Sequence, residues 1–197
     1  MPIDLTPFEK LIAIITLIVS FIAAVVGGTF VAILNRLFEK QKQTDEQDIK
    51  IFNQSNEILN EQKIIGVIDF HLLNGYSILE EDFSLIRKWL VFFQAVSHMY
   101  LNKSVNVKKQ KLFENLSRLE KFIAENFDTK ISQNSNNSTL YLQPNLDPDR
   151  TWNPDGVINP VQVAKFQEFA EKLEVLSKNV KEQYLEYRLA IKQKLKI

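Results

Sequence analysis

Hydrophobic and polar positions divide the chain into an apolar N-terminal run, a polar gap and four stretches of helical periodicity, the last two separated by a long loop. Leu11 to Leu34 (LIAIITLIVSFIAAVVGGTFVAIL) is an uncharged run of 24 residues. As a helix rising about 1.5 Å per residue it exceeds the roughly 30 Å hydrocarbon core of a bilayer, so the pattern predicts one N-terminal transmembrane helix. Within it Thr16, Ser20, Ala24, Gly28 and Ala32 recur every four residues. Small residues at that spacing let helices approach closely in lipid, so the row is the candidate for membrane-helix association.

Residues 39–48 (EKQKQTDEQD) hold no apolar side chain, and 35–48 reads as a polar stalk. Apolar residues then return at helical spacing from Ile49 to Leu73, closed by Asn74-Gly75. Ser77-Ile-Leu-Glu80 has the form of a capping box, and Ile78 to Leu101 is the most apolar stretch after the first, predicting a central helix. Its polar positions Glu80, Ser84, Arg87, Gln94 and His98 form one stripe, read either as a narrow solvated face or as a candidate interaction face. A third helix is expected from about Val107 to Phe127, with Lys108, Lys109 and Lys111 crowding its first turn against the helix dipole.

Residues 128–160 form a long connection holding four of the six prolines. Its first half has the composition of a mobile loop, and its second half, with Leu140, Tyr141, Leu142, Leu146 and Trp152, reads as an ordered strap. Asn159-Pro160 is a helix start. The helix beyond it has an apolar row at Phe166, Phe169, Leu173, Leu176, Val180, Tyr184, Tyr187 and Ile191, close to a heptad seam, and is long enough for part of it to pack between subunits. The expected fold class is all-α: one transmembrane helix plus a bundle of about four helices, with 1–10 as a short extracytoplasmic tail, 49–127 as the bundle core and 161–197 as a long C-terminal helix packing on it.

Charge sets the orientation. Lys10 alone precedes the run, whereas Arg36, Lys40, Lys42 and Lys50 follow it within 20 residues, which places the C-terminal part in the cytoplasm and the protein in the inner membrane. Lipid is then a partner. The 24 basic and 24 acidic residues balance, so no nucleic-acid partner is expected. With no Cys and two His, disulfide scaffolds, zinc fingers and cysteine nucleophiles are excluded. A phosphate-cradling Gly motif and a nucleophile elbow are absent. Asn145, Asp147 and Asp149 alternate as calcium ligands do, but Arg150 stands where the loop needs Gly. Small helical nucleases of the HEPN type need Arg followed four to six residues later by His, and no arginine here has that. No catalytic, metal or cofactor-binding residue is assigned, and no cofactor is expected.

The layout of one N-terminal span, a polar stalk and a helical cytoplasmic domain resembles the small accessory membrane protein of type VI CRISPR systems. That resemblance rests on layout without a specific motif, and implies a ring-shaped oligomer with a pore, acting in defence. The reading from sequence is therefore a non-enzymatic homo-oligomeric scaffold or pore-type effector. The alternatives are a monomeric tethered adaptor with a cytoplasmic protein partner, and a divergent membrane-anchored ribonuclease.

Overall fold

The computed structural model describes residues 7–129, 138–148 and 159–196, with the side chains of 7–13 and 22–27 outside the description. The chain divides into two units, Met1–Thr44 and Asp45–Ile197. Helix α1 runs Pro7–Ile58, so its last turns belong to the second unit.

In the first unit the described side chains of α1 are apolar and exposed over Ile14–Phe21 and from Gly28 to Phe38, apart from half-buried Leu34 and the polar Thr16, Ser20, Thr29, Asn35 and Arg36. Among the described residues, no helix is long and apolar enough to cross a membrane. The expected transmembrane helix over Leu11–Leu34, and the single-pass topology built on it, are corrected accordingly.

The second unit is built of the end of α1, then α2 (Glu61–Gly66), which passes directly into a π-helical segment (Val67–Leu73), β1 (Ser77–Leu79), α3 (Glu80–Gln94), a 3-10 turn (Val96–His98), α4 (Lys103–Asn126), β2 (Phe127–Thr129), β3 (Thr139–Leu142) and α5 (Pro160–Leu195). The all-α expectation is corrected here by a small antiparallel sheet in the order β1-β3-β2, with Ile78 opposite Leu140 and Phe127 opposite Leu142. Ser77 and Glu80 therefore do not form a capping box. Ile78 and Leu142 are fully buried, so sheet pairing holds Ser77–Leu79 extended, and the amide of Glu80 finds its acceptor in the Ser138 carbonyl at 3.0 Å.

Two other boundaries follow local hydrogen bonding. The expected helix Ile49–Leu73 is interrupted at Asn60, whose extended backbone and side-chain acceptor for the Lys63 amide start α2 afresh. Asn102 caps α4 through the Ser104 and Val105 amides, four residues earlier than the periodicity indicates. Lys108, Lys109 and Lys111 consequently lie beyond the first turn, where the dipole opposes them less.

The core gathers apolar residues from every helix and strand of this unit except the 3-10 turn, with Trp89, Tyr184 and Tyr187 its largest buried side chains. Helices α4 and α5 run antiparallel, as the Lys108–Glu186 ion pair of 2.6 Å at one end and the juxtaposition of Phe122 with Leu176 at the other require. The heptad row of α5 is spent inside this core: Leu173 and Val180 have no exposed surface, and Tyr184, Tyr187 and Ile191 retain about one per cent each.

Candidate functional site

The polar stripe of the central helix is not one continuous face. Glu80, Ser84 and Gln94 are exposed. Arg87 lies 4.3 Å over the Phe83 ring and donates from Nε to Glu120 of α4 at 2.7 Å, so it braces two helices. His98 is not on the helix at all. Its ring stacks on Phe92 at 3.9 Å, and its Nδ1 lies 2.9 Å from the Phe92 carbonyl, which can only accept, so the proton sits on Nδ1.

That bond explains why the helix stops at Gln94 and not at Leu101. The Phe92 carbonyl is taken by His98 and the Phe93 carbonyl by Lys109 Nζ at 3.1 Å, which satisfies two of the groups a helix end leaves open. Lys109 is buried, and desolvation pulls its pKa below the ordinary lysine value. An anion-binding role for the lysine group is poorly served by this arrangement, because Lys109 faces a carbonyl and Lys108 faces Glu186. The connection that follows exposes Val96, Met99 and Leu101.

Beneath it lies a buried polar network. Asp48 accepts the amides of Leu101 and Asn102 at 2.7 and 2.9 Å. The hydroxyls of Tyr100 and Tyr187 are 2.5 Å apart. Ser55 Oγ accepts from Trp89 Nε1 at 2.7 Å. Burial pushes all three phenols, Tyr100, Tyr184 and Tyr187, well above the ordinary tyrosine value, so none is a base or nucleophile near neutrality. The network ties the end of α1 to α3, α4 and α5, and its groups are occupied with one another.

The outer face of α5 is different in kind. Val175, Leu185 and Leu189 project from it about half exposed. Beside Val175 an apolar groove of about 460 Å³ opens between α4 and α5, lined by Phe122, Val175 and Leu176 and edged by Glu168, Glu171 and Lys172. Lys172 hydrogen-bonds Glu168 and Lys108 does the same to Glu186, and each cation holds its carboxylate below the ordinary range. Sequence reasoning missed this face because the heavier apolar row of the same helix dominates the pattern, although a second row spaced by seven residues is legible at 175, 182 and 189.

Of the small-residue row in the first unit, Thr16, Ser20, Gly28 and Ala32 are exposed, while Ala24 lies outside the described side chains. A Cβ built on Gly28 meets nothing within 4 Å.

Among the described residues, no three His, Cys, Asp or Glu side chains gather where they could hold a metal ion. The buried Asp82 carboxylate sits 2.6 Å from Lys63 Nζ, an ion pair at the start of α3. Arg87 and His98, the pair a nuclease reading would use, are each engaged elsewhere, on Glu120 and on Phe92. No protein-family model, curated protein or solved structure matches this chain, so its function is read from these surfaces alone.

Proposed function

We propose that this protein works by assembly, as a non-enzymatic scaffold whose copies associate with one another. The observation that carries this reading is the apolar helix of the first unit. Over Ile14–Phe21 six of eight consecutive residues are Ile, Leu, Val or Phe, and every one of the eight is exposed. Eight residues make more than two turns, so apolar side chains project on all sides of the helix axis. A helix apolar all round stays uncovered in water only at a cost of about 25 cal/mol per Å² of apolar surface, and its stable place is inside a larger apolar assembly. Further copies of the same helix supply that surface without a second gene product.

The test is the mass of the full chain in solution, compared with the variant Leu17→Gln/Phe21→Gln. Glutamine keeps helix propensity and removes the apolar surface. The expected outcome is an assembled wild type and a variant shifted to lower mass with unchanged helical signal. A wild type that stays monomeric at high concentration overturns the reading.

One observation favours a second reading, an adaptor for another protein. The α3–α4 connection presents Val96 (82% exposed), Met99 and Leu101 on a backbone fixed by Asp48. A pre-organised apolar knuckle of this sort suits a protein partner. Val96→Asp with loss of biological readout, but no change of mass, would favour the adaptor.

A further inference from the structure

Opposite its buried face, α5 carries a second periodic row. At 100° per residue, Leu173, Val180 and Ile191 cluster on one side of the helix. Glu168, Val175, Glu182 and Leu189, seven apart, lie on the other side, interleaved by Glu171, Lys178, Leu185 and Lys192 at steps of three and four. All eight are exposed. Scattered exposed apolar residues are ordinary on a protein surface. What sets these apart is their register.

In an antiparallel helix pair, the first position of a heptad on one helix faces the fourth position on the other. With a two-fold axis passing beside Val180, Val175 meets Leu185 of the second copy, Glu182 meets Lys178, Glu168 meets Lys192, and Leu189 meets Glu171. Symmetry repeats each pair. No like charges face each other, and the apolar pairs flank the charged centre. Other alignments lose this. Sliding one copy by a heptad in one direction sets Glu182 against Glu171, and in the other sets Glu182 against Leu185 and Lys178 against Leu189. A parallel pair puts Glu168, Glu171, Lys178 and Glu182 each against its own copy.

The groove between α4 and α5 agrees with the same alignment. Leu185 and Leu189 of the second copy arrive opposite Val175 and Glu171, at the mouth of the space lined by Phe122, Val175 and Leu176. We propose that a second copy of this chain docks antiparallel along the outer face of α5 in this register, its Leu185 and Leu189 filling that groove. The proposal rests on the assembly reading only in naming a second copy as the occupant; the interface is separate from the apolar helix of the first unit.

The chain has no cysteine, so cross-linking is clean. In the full chain, Val175→Cys together with Leu185→Cys should form a covalent dimer under mild oxidation. A link within one helix is excluded, because ten residues separate the two positions by about 15 Å and a disulfide needs Cα atoms within about 7 Å. Val175→Cys alone should not link. A double variant that fails to link, or a single variant that links to itself, overturns the proposal.

Charge reversal gives a second readout. Glu182→Lys and Lys178→Glu should each weaken dimerisation, roughly tenfold for two symmetry-related contacts, and the combined variant should recover it. Losses that add instead of cancelling overturn the register. Carrying the cysteine pair in the Leu17→Gln/Phe21→Gln background separates the two interfaces. A link that persists there while the larger assembly is lost belongs to α5, whereas an intact assembly without the link removes this proposal and leaves the other.

Discussion

Asp48 and Asn102 lie 54 positions apart in sequence, and the buried carboxylate of the first accepts the backbone amide of the second at 2.9 Å, with the Leu101 amide on its other oxygen at 2.7 Å. Asn102 is the residue that caps α4, so a side chain from the last turns of α1 fixes where α4 begins.

Removing that carboxylate, which is itself fully buried, leaves two backbone donors without their acceptor. Asp48→Ala should lower stability by about 3 kcal/mol, since hydrogen bonds to a charged group are worth roughly 1.5–3 kcal/mol and the orphaned amides add their own cost. Asp48→Asn, which keeps one acceptor, should lose less. Urea unfolding of the three proteins decides it, and equal midpoints would show that water replaces the carboxylate.

The phenol pair makes a prediction about coupling. Tyr100 and Tyr187 lose the same hydroxyl contact whichever of the two is changed. Tyr187→Phe and Tyr100→Phe should each cost about 1 kcal/mol, and the double variant should cost less than the sum because both lose the same bond. A fully additive double variant would mean the two hydroxyls do not support each other.

Lys109 predicts a pH dependence. Burial lowers its folded-state pKa below the unfolded value of 10.5. Between those two values the unfolded chain binds more protons than the folded one, so stability rises with pH across that window, while below the folded value both states are protonated and the desolvation cost stands in full. Lys109→Met retains the apolar stem and removes the titration. The stability of wild type relative to this variant should rise as pH climbs towards 10.5, and a difference that stays flat would place the ammonium in solvent.

Leu173 and Val175 are two residues apart on α5 and should behave as opposites. Leu173→Glu buries a charge in the core and should unfold the second unit, since an unpaired buried charge costs several kcal/mol. Val175→Glu should leave the helical signal and the melting temperature nearly unchanged while weakening association. Circular dichroism with mass measurement checks both. Two folded variants, or two unfolded ones, would misplace the buried face of α5.

Much of the secondary structure is legible along the chain because its causes are local. Asn159-Pro160 starts α5, with the Asn159 side chain accepting the Val161 amide at 3.0 Å and Pro at the first position where its missing N–H costs nothing. The heptad row from Phe166 to Ile191 identifies the buried face of that helix, because periodicity of apolar side chains is itself the record of a one-sided environment. Helix α4 is legible in the same way through Leu112, Leu116, Leu119 and Ile123, all buried.

What tertiary structure alone decided is where local preference met a distant partner. Ser77–Leu79 has the letters of a helix cap and became a strand because β3, some sixty residues later, pairs with it. The central helix stops at Gln94 because His98 and Lys109 fold back on its last carbonyls, a contact that no periodicity encodes. The candidate site divides likewise. The polar stripe Glu80 to His98 is visible in sequence, but whether its members share a face depends on where the helix ends. The row Val175, Leu185 and Leu189 is equally visible, yet only packing of the other face against α4 and the core leaves it turned outward. Sequence determines which faces a helix has, because side-chain chemistry travels with the chain. Which face remains open is settled by what the rest of the fold covers, because burial is a property of the assembled surface.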